Sequence, residues 1–295
     1  MARVYAGLPL SGRAANAGRE ILSGAERALN QSGPSSPELV VIDTAGEARD
    51  ARAEDTARIA ADDDAAVAYL GDFYSSQVHA AQAILGPAGL LQVAPVATWA
   101  ELSGPTLICL MPDDRAGARA IAGWLVEAGV ADLLVVHDHD SGYGAPVGAM
   151  CVEAVRDRGL SARSRPVWDH DESPADDLGD AEAVLYAGVA GSGAERLWHD
   201  LHSANPDLWL LGTDGVAVGW LAEALSPAAA ARTRFFVPQK EPLDFYGDAA
   251  MSLILDAVAE GGDDRREVVR VARAEHVAPT GYGCLAVVDG ELVSA

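Results

Sequence analysis

Short apolar runs recur along this chain, separated by longer amphipathic stretches. "RVYAGLPL" precedes a helical pattern over 14–30, "ELVVID" one over 47–61, and "AVAYLG" one over 76–85 before "LLQVA". These runs are almost continuously apolar and do not alternate, as strands buried on both faces require. Strand and helix repeating in this way predict a mostly parallel sheet covered by helices. A second series follows: "DLLVVHD" and 143–158, "EAVLYAG" and 193–203, "LWLLGTD" and 216–225, then "RFFVP". Two α/β lobes are therefore expected.

Beyond "RFFVPQKEP" the pattern predicts helices over 245–259 and 265–274, then a strand pair in "YGCLAVVDGELVS". Asp289-Gly290 between alternating apolar residues is a strong hairpin signal, because both positions of the tight turn need positive φ. The acidic, proline-containing segment "DHDESPADDLGD" (169–180) reads as a surface loop, and no stretch reads as a long flexible linker.

The 295 residues suffice for two domains with cores of their own. With 44 acidic and 21 basic side chains the formal charge is −23, which argues against nucleic acid and anionic membrane as partners, since both demand a basic surface. Lys240 is the sole lysine amid arginine and abundant alanine, a mark of genome composition. Cys109, Cys151 and Cys284 are far apart without CxxC spacing, so neither a zinc knuckle nor a dense disulfide framework is implied, and three buried free thiols are expected. No apolar segment approaches the roughly 18 residues of a membrane span. Met1 leads straight into "ARVYAGLPLSG", so the expectation is either a cytoplasmic protein or one whose targeting segment has been removed.

Several short motifs invite chemistry. "GLPLSG" (7–12) has phosphate-loop glycine spacing, but Arg13-Ala14 stand where Lys and Ser/Thr are needed, and a strand-end turn is the plainer reading. "GSG" (191–193) lacks the first glycine of a nucleophile elbow, since Ala190 stands there. In "VHDHD" (136–140), His137 and His139 would share one strand face, with His170 in a second acidic stretch, so a metal site is conceivable, against ordinary loop carboxylates as the alternative. Ser75 and Ser76 follow a strand and begin a helical pattern, which suits either an N-cap or an anion site at a helix N-terminus.

Taken together, "GLPLSG", "YLGDFYSS", "APVATWAEL", "MPDDRAGARAIAGWL", "VVHDHDSGYGAPVGAMCVEAV" and "LLGTDGVA", in that order, resemble the branched-chain amino-acid-binding family of solute-binding proteins. The resemblance covers nearly the whole chain. It implies the type I periplasmic-binding fold: two Rossmann-like α/β lobes joined by three crossovers, near 112–115, 237–241 and 275–279, with a ligand cleft between them. Residues 1–113 and 240–275 would form one lobe, 114–239 and 276–295 the other. The ligand's carboxylate would fall to Ser75 and Thr98, with backbone groups around Val96. Tyr143 and Asp214 would answer from the second lobe, and Phe73, Tyr74 and Trp99 are possible cleft walls, with core packing as the alternative. The residues support this independently: Ser75, Thr98, Tyr143 and Asp214 all follow predicted strands, where open α/β sheets bind ligands. Hydroxyls and a helix N-terminus suit a carboxylate, and a carboxylate suits an ammonium.

The chain departs from the family's pattern at Ala17 and Val189, where aromatic residues are usual. Asp214 is a methylene shorter than the glutamate of well-known members, and the cysteine pair near the first-lobe cleft is missing. The implied function is an extracytoplasmic solute-binding protein of an ATP-driven (ABC) importer, periplasmic or lipid-anchored, closing over a small amino acid or similar zwitterion. It would be a monomer that works with a membrane permease, without cofactor, metal or catalysis. Two rival readings are a ligand sensor with the same fold and a metal-dependent enzyme working through "HDHD".

Overall fold

The computed structural model describes residues 1–33, 36–45, 49–138, 142–167, 173–190, 193–238, 241–277, 279 and 281–295. The first stretch runs β1 (Arg3–Leu8), α1 (Ala15–Gln31), β2 (Glu38–Asp43), α2 (Arg49–Asp62), β3 (Ala66–Gly71), α3 (Ser75–Leu85), β4 (Leu91–Ala94) and β5 (Leu107–Cys109). There follow α4 (Asp114–Ala128), β6 (Asp132–Asp138), α5 (Gly144–Arg156), β7 (Ser161–Val167), β8 (Ala183–Ala187) and α6 (Ala194–Ala204). The chain continues with β9 (Trp209–Thr213), α7 (Gly219–Ala224), α8 (Pro227–Ala231), β10 (Thr233–Val237), α9 (Leu243–Gly261), α10 (Arg265–Glu275) and a hairpin, β11 (Gly283–Val288) and β12 (Glu291–Ser294).

Two compact units result, one of Met1–Pro112 with Glu241–Thr280, the other of Asp113–Lys240 with Gly281–Ala295. The chain thus changes unit three times, the last time just beyond the 275–279 segment expected from the sequence. Unit 1 holds a five-stranded parallel sheet in the order β2-β1-β3-β4-β5. Unit 2 holds seven strands, β12-β11-β10-β9-β8-β6-β7, parallel except for the pairings that involve the hairpin. Every residue of β3 and of β8 is buried, as their unbroken apolar runs predict. Two strands have no such run: β7, "SARSRPV", lies at a sheet edge and carries polar side chains, and β5 has three residues. The hairpin turns at Asp289 (φ 52°) and Gly290 (φ 81°), the two positive-φ positions its sequence announces.

In unit 1, Ile21 of α1, Met251 and Ile254 of α9 and Val271 of α10 pack with Val4, Leu70 and Val93 on one face of the sheet, while α2 and α3 pack on Tyr69 and Leu90 on the other. Helices α1 and α9 approach through glycine: a Cβ on Gly247 would stand 1.9 Å from the Ile21 carbonyl oxygen. Neither backbone can yield alone, so Gly247→Ala is expected to lower stability by about 1–3 kcal/mol in denaturant titration.

In unit 2 the core of one sheet face is built on Tyr186, Trp198 and Phe235, and that of the other on Ile121, Leu125, Cys151 and Phe236. All three cysteines are free, but only Cys151 is buried, while Cys109 and Cys284 are half-buried. That corrects the expectation of three buried thiols, because Cys109 lies in the edge strand β5 of one sheet and Cys284 in the hairpin strand β11, one strand in from the edge of the other. The acidic segment is not all loop: Ser173 Oγ accepts from the Ala175 amide at 3.3 Å and opens a 3₁₀ turn, Pro174–Asp177. No helix among the described residues is long and apolar enough to cross a membrane.

Candidate functional site

In unit 1 the site residues sit where β3 and β4 end. Ser75 is the first residue of α3, not its N-cap: Tyr74 holds that position in extended backbone, and no side chain caps the helix. The Ser75 hydroxyl points to the loop after β4, where its Oγ accepts from the Thr98 amide at 3.2 Å and the Trp99 amide at 3.4 Å. Two N–H donors fill the oxygen's acceptor sites and leave its own proton to give. Ser76, the other N-cap candidate, donates to Asp50 Oδ1 at 2.8 Å. Thr98 is buried at 8% exposure, whereas Val96, Tyr74 and Trp99 are half-buried. Phe73 and Val96 both pack against the apolar core, and the Phe73 and Tyr74 rings meet edge to face at 4.9 Å.

In unit 2, Tyr143 precedes α5 and Asp214 follows β9 at the start of a 3₁₀ turn, Asp214–Val216. The Tyr143 hydroxyl lies 2.7 Å from Asp214 Oδ1, to which it donates, and 3.0 Å from Thr213 Oγ1. Gly215 makes this approach possible: a Cβ there would stand 2.3 Å from the Gly188 carbonyl oxygen and 3.2 Å from the Tyr143 ring. A small cavity adjoins the pair, lined by Asp114, Ile121, Cys151, Phe236 and Tyr282 among others, with no basic side chain in its lining. Burial pushes the Asp214 carboxyl above its ordinary range, and the Tyr143 bond only partly offsets this. Burial, then the Asp214 charge, pushes the Tyr143 phenol well up. Burial does the same to Tyr282, with Asp214 and Asp114 adding to it. The electrostatics of this half-site favour an incoming cation.

Sequence reasoning did not single out Asp114, Thr213 or Tyr282. Asp114 reads only as a helix-opening acid beside its capping neighbour Asp113, whose Oδ1 accepts from the Ala116 amide at 2.9 Å. Tyr282 reads only as the lead-in to a hairpin. A signal for it exists in Gly117, since a Cβ there would stand 2.8 Å from the Tyr282 ring.

The other motifs fare differently. The "GLPLSG" turn is held by Asp43, whose Oδ1 accepts from the Leu10 amide at 2.8 Å and the Ala45 amide at 3.0 Å. His137 lies on β6, with Nδ1 3.2 Å from the Asp138 carbonyl oxygen. His139, His170 and residues 191–192 of "GSG" lie outside the described residues, among which no group of three His, Cys, Asp or Glu could hold a metal ion.

No protein-family model matches this sequence, and no curated protein matches it. Solved structures do. A leucine-binding protein, LivK, from Thermotoga maritima is 18% identical, with a TM-score of 0.81 over 100% of this chain and 98% of that one. The branched-chain amino acid transporter substrate-binding protein LivJ from Streptococcus pneumoniae, in complex with isoleucine, is 16% identical, with a TM-score of 0.75 over all of both chains. A solute-binding protein of an ABC transporter from R. palustris, in complex with benzoate, is 18% identical, with a TM-score of 0.75 over 99% of this chain and 94% of that one. At such identities the likeness establishes the fold, which is the type I periplasmic-binding fold.

Proposed function

We propose that this chain is the extracytoplasmic solute-binding protein of an ATP-driven importer and takes up a small amino acid or similar zwitterion. The observation that carries the reading is the Tyr143–Asp214 pair, a buried carboxylate held at 2.7 Å by a phenol beside a cavity with no basic residue in its lining. That half-site suits an ammonium. The half-site of unit 1 suits a carboxylate, through the free Ser75 proton, the Thr98 side chain and the uncapped start of α3. Two solved structures of this fold, one in complex with isoleucine and one with benzoate, support this reading.

On this reading the protein binds without catalysing. Among the described residues, the Ser75 oxygen is met by two amides and not by a base, so nothing there activates it as a nucleophile. The partner is the importer's membrane permease, met by a monomer.

A thermal-shift screen of α-amino acids, amides and small carboxylates tests the reading. A ligand at 100 times its dissociation constant stabilises by about 2.7 kcal/mol, a clear rise in melting temperature. If leucine, isoleucine, benzoate and the rest of such a panel all leave the melting temperature unmoved, the reading fails. Once a ligand is found, Ser75→Ala is expected to weaken it about ten- to a hundredfold by calorimetry, since a hydrogen bond to a charged group is worth roughly 1.5–3 kcal/mol.

A further inference from the structure

Unit 1 contains a second polar cluster, at the carboxyl ends of β1 and β3. Asp72 directly follows β3, three residues before Ser75, and is fully buried. Its carboxyl oxygens lie 3.3 and 3.2 Å from the Tyr69 hydroxyl, one proton shared between two long contacts. Gly7 closes over them: a Cβ there would stand 1.9 Å from Tyr69 Oη and 2.9 Å from Asp72 Oδ1. Gln92 is equally buried and donates to the Gly71 carbonyl at 3.1 Å, which anchors it beside Asp72, yet its Oε1 receives no donor. Thr44 Oγ1 is buried against the same carboxyl group without a hydrogen bond of good geometry.

The cluster is short of donors. An amide oxygen and an ionised carboxylate only accept, and the two hydroxyl protons of Tyr69 and Thr44 are fewer than the three oxygens of Asp72 and Gln92. No basic side chain among the described residues pairs with Asp72. We propose that Asp72 serves as a carboxylic acid, supplying the donor this cluster lacks, and that its proton thereby positions the β3–α3 turn that presents Ser75.

Burial, with repulsion from Asp50 on α2 added, pushes the Asp72 carboxyl up to about 7, against the opposing pull of the Tyr69 and Thr44 hydroxyls. Among the described residues, Asp50 is the charge that acts on Asp72 from the surrounding elements, and its Oδ1 accepts from Ser76 Oγ. From β1, β4 and α3 come Gly7, Gln92, Gln77 and Val78, none of them titratable. A folded value above the unfolded carboxylate value of about 3.9 means that the folded chain holds the extra proton between the two. The stability this proton contributes is complete below about pH 4, falls as pH rises through about 7 and is level above.

The inference rests on the proposed function only in giving Ser75 a ligand, and its test needs none. In the full chain, the Asp72 carboxyl carbon followed by NMR is expected to titrate near neutrality. Hydrogen-exchange protection of amides 72–78, corrected for intrinsic rates, is expected to fall about tenfold between about pH 6 and about pH 8.5. Asp72→Asn keeps a donor there and cannot ionise, so its protection is expected to stay level within about twofold over the same range. A carboxyl that titrates below about pH 5, or an Asn variant with the parent's pH dependence, overturns the proposal. Should that variant not fold, the parent's titration and exchange decide alone. If no ligand binds while Asp72 titrates as expected, the importer reading falls and this one stands.

Discussion

Asp214→Asn is expected to weaken the binding of an α-amino acid by about two decades or more. The carboxylate is the charged partner that the Tyr143 half-site offers an ammonium, and it is already pushed toward neutrality by burial. Removing one member of a desolvated ion pair strands the other, at a cost of roughly 3–5 kcal/mol. The asparagine oxygen still accepts from Tyr143, so the fold of the half-site survives and the loss reports on charge. For a plain acid such as benzoate the same change removes a like charge and is expected to leave affinity equal or better. Calorimetry of both proteins with leucine and with benzoate, at fixed pH and salt, separates the cases. Undiminished leucine affinity in the variant would sink the ammonium assignment.

Trp198→Ala is expected to cost unit 2 about 3–5 kcal/mol and to lower its melting transition by roughly 10 °C. Trp198 is 1% exposed, lies stacked on Phe235 at 6.0 Å and meets Tyr186 edge to face at 6.1 Å, so its removal opens a cavity that three elements line. Its Nε1 also donates to Thr233 Oγ1 at 3.2 Å, while that hydroxyl gives its own proton to the Ala229 carbonyl at 2.8 Å. Trp198→Phe keeps most of the ring and leaves Thr233 its donor bond. Its cost is expected to be about 1 kcal/mol, the net worth of one hydrogen bond. Equal costs for the two variants in differential scanning calorimetry would show that the hydrogen bond, not the packing, holds this core.

How far the site could be read along the chain differs residue by residue. Ser75 could be placed at a strand end because an unbroken apolar run, "AVAYLG", gives way there to a helical pattern. Its bond to Thr98 and Trp99 could not, because the partners lie 23 and 24 positions further along and the two loops meet only where β3 and β4 lie side by side. The N-cap alternative failed because α3 already begins at Ser75, with Tyr74 at the N-cap position, and the loop amides take the Ser75 oxygen. Tyr143 and Asp214 were nominated singly by a family resemblance, and their contact spans 71 residues. Asp72 drew no attention, since an aspartate after a strand ordinarily faces water.

The sequence by itself determined what depends on neighbours along the chain: the β/α alternation, the buried strands β3 and β8, and the Asp289-Gly290 hairpin. Such features follow from local periodicity and backbone sterics, which a short window of residues carries in full. Only the tertiary structure decided which polar side chains lose their water. It seated the polar strand β7 at a sheet edge, brought Tyr282 over Gly117, and enclosed Asp72 between β1, β4 and α3. Burial and hydrogen-bond partners across sheets come from strand order and close approach at glycine. The charge state of a buried carboxyl group follows from them and from nothing in its own segment.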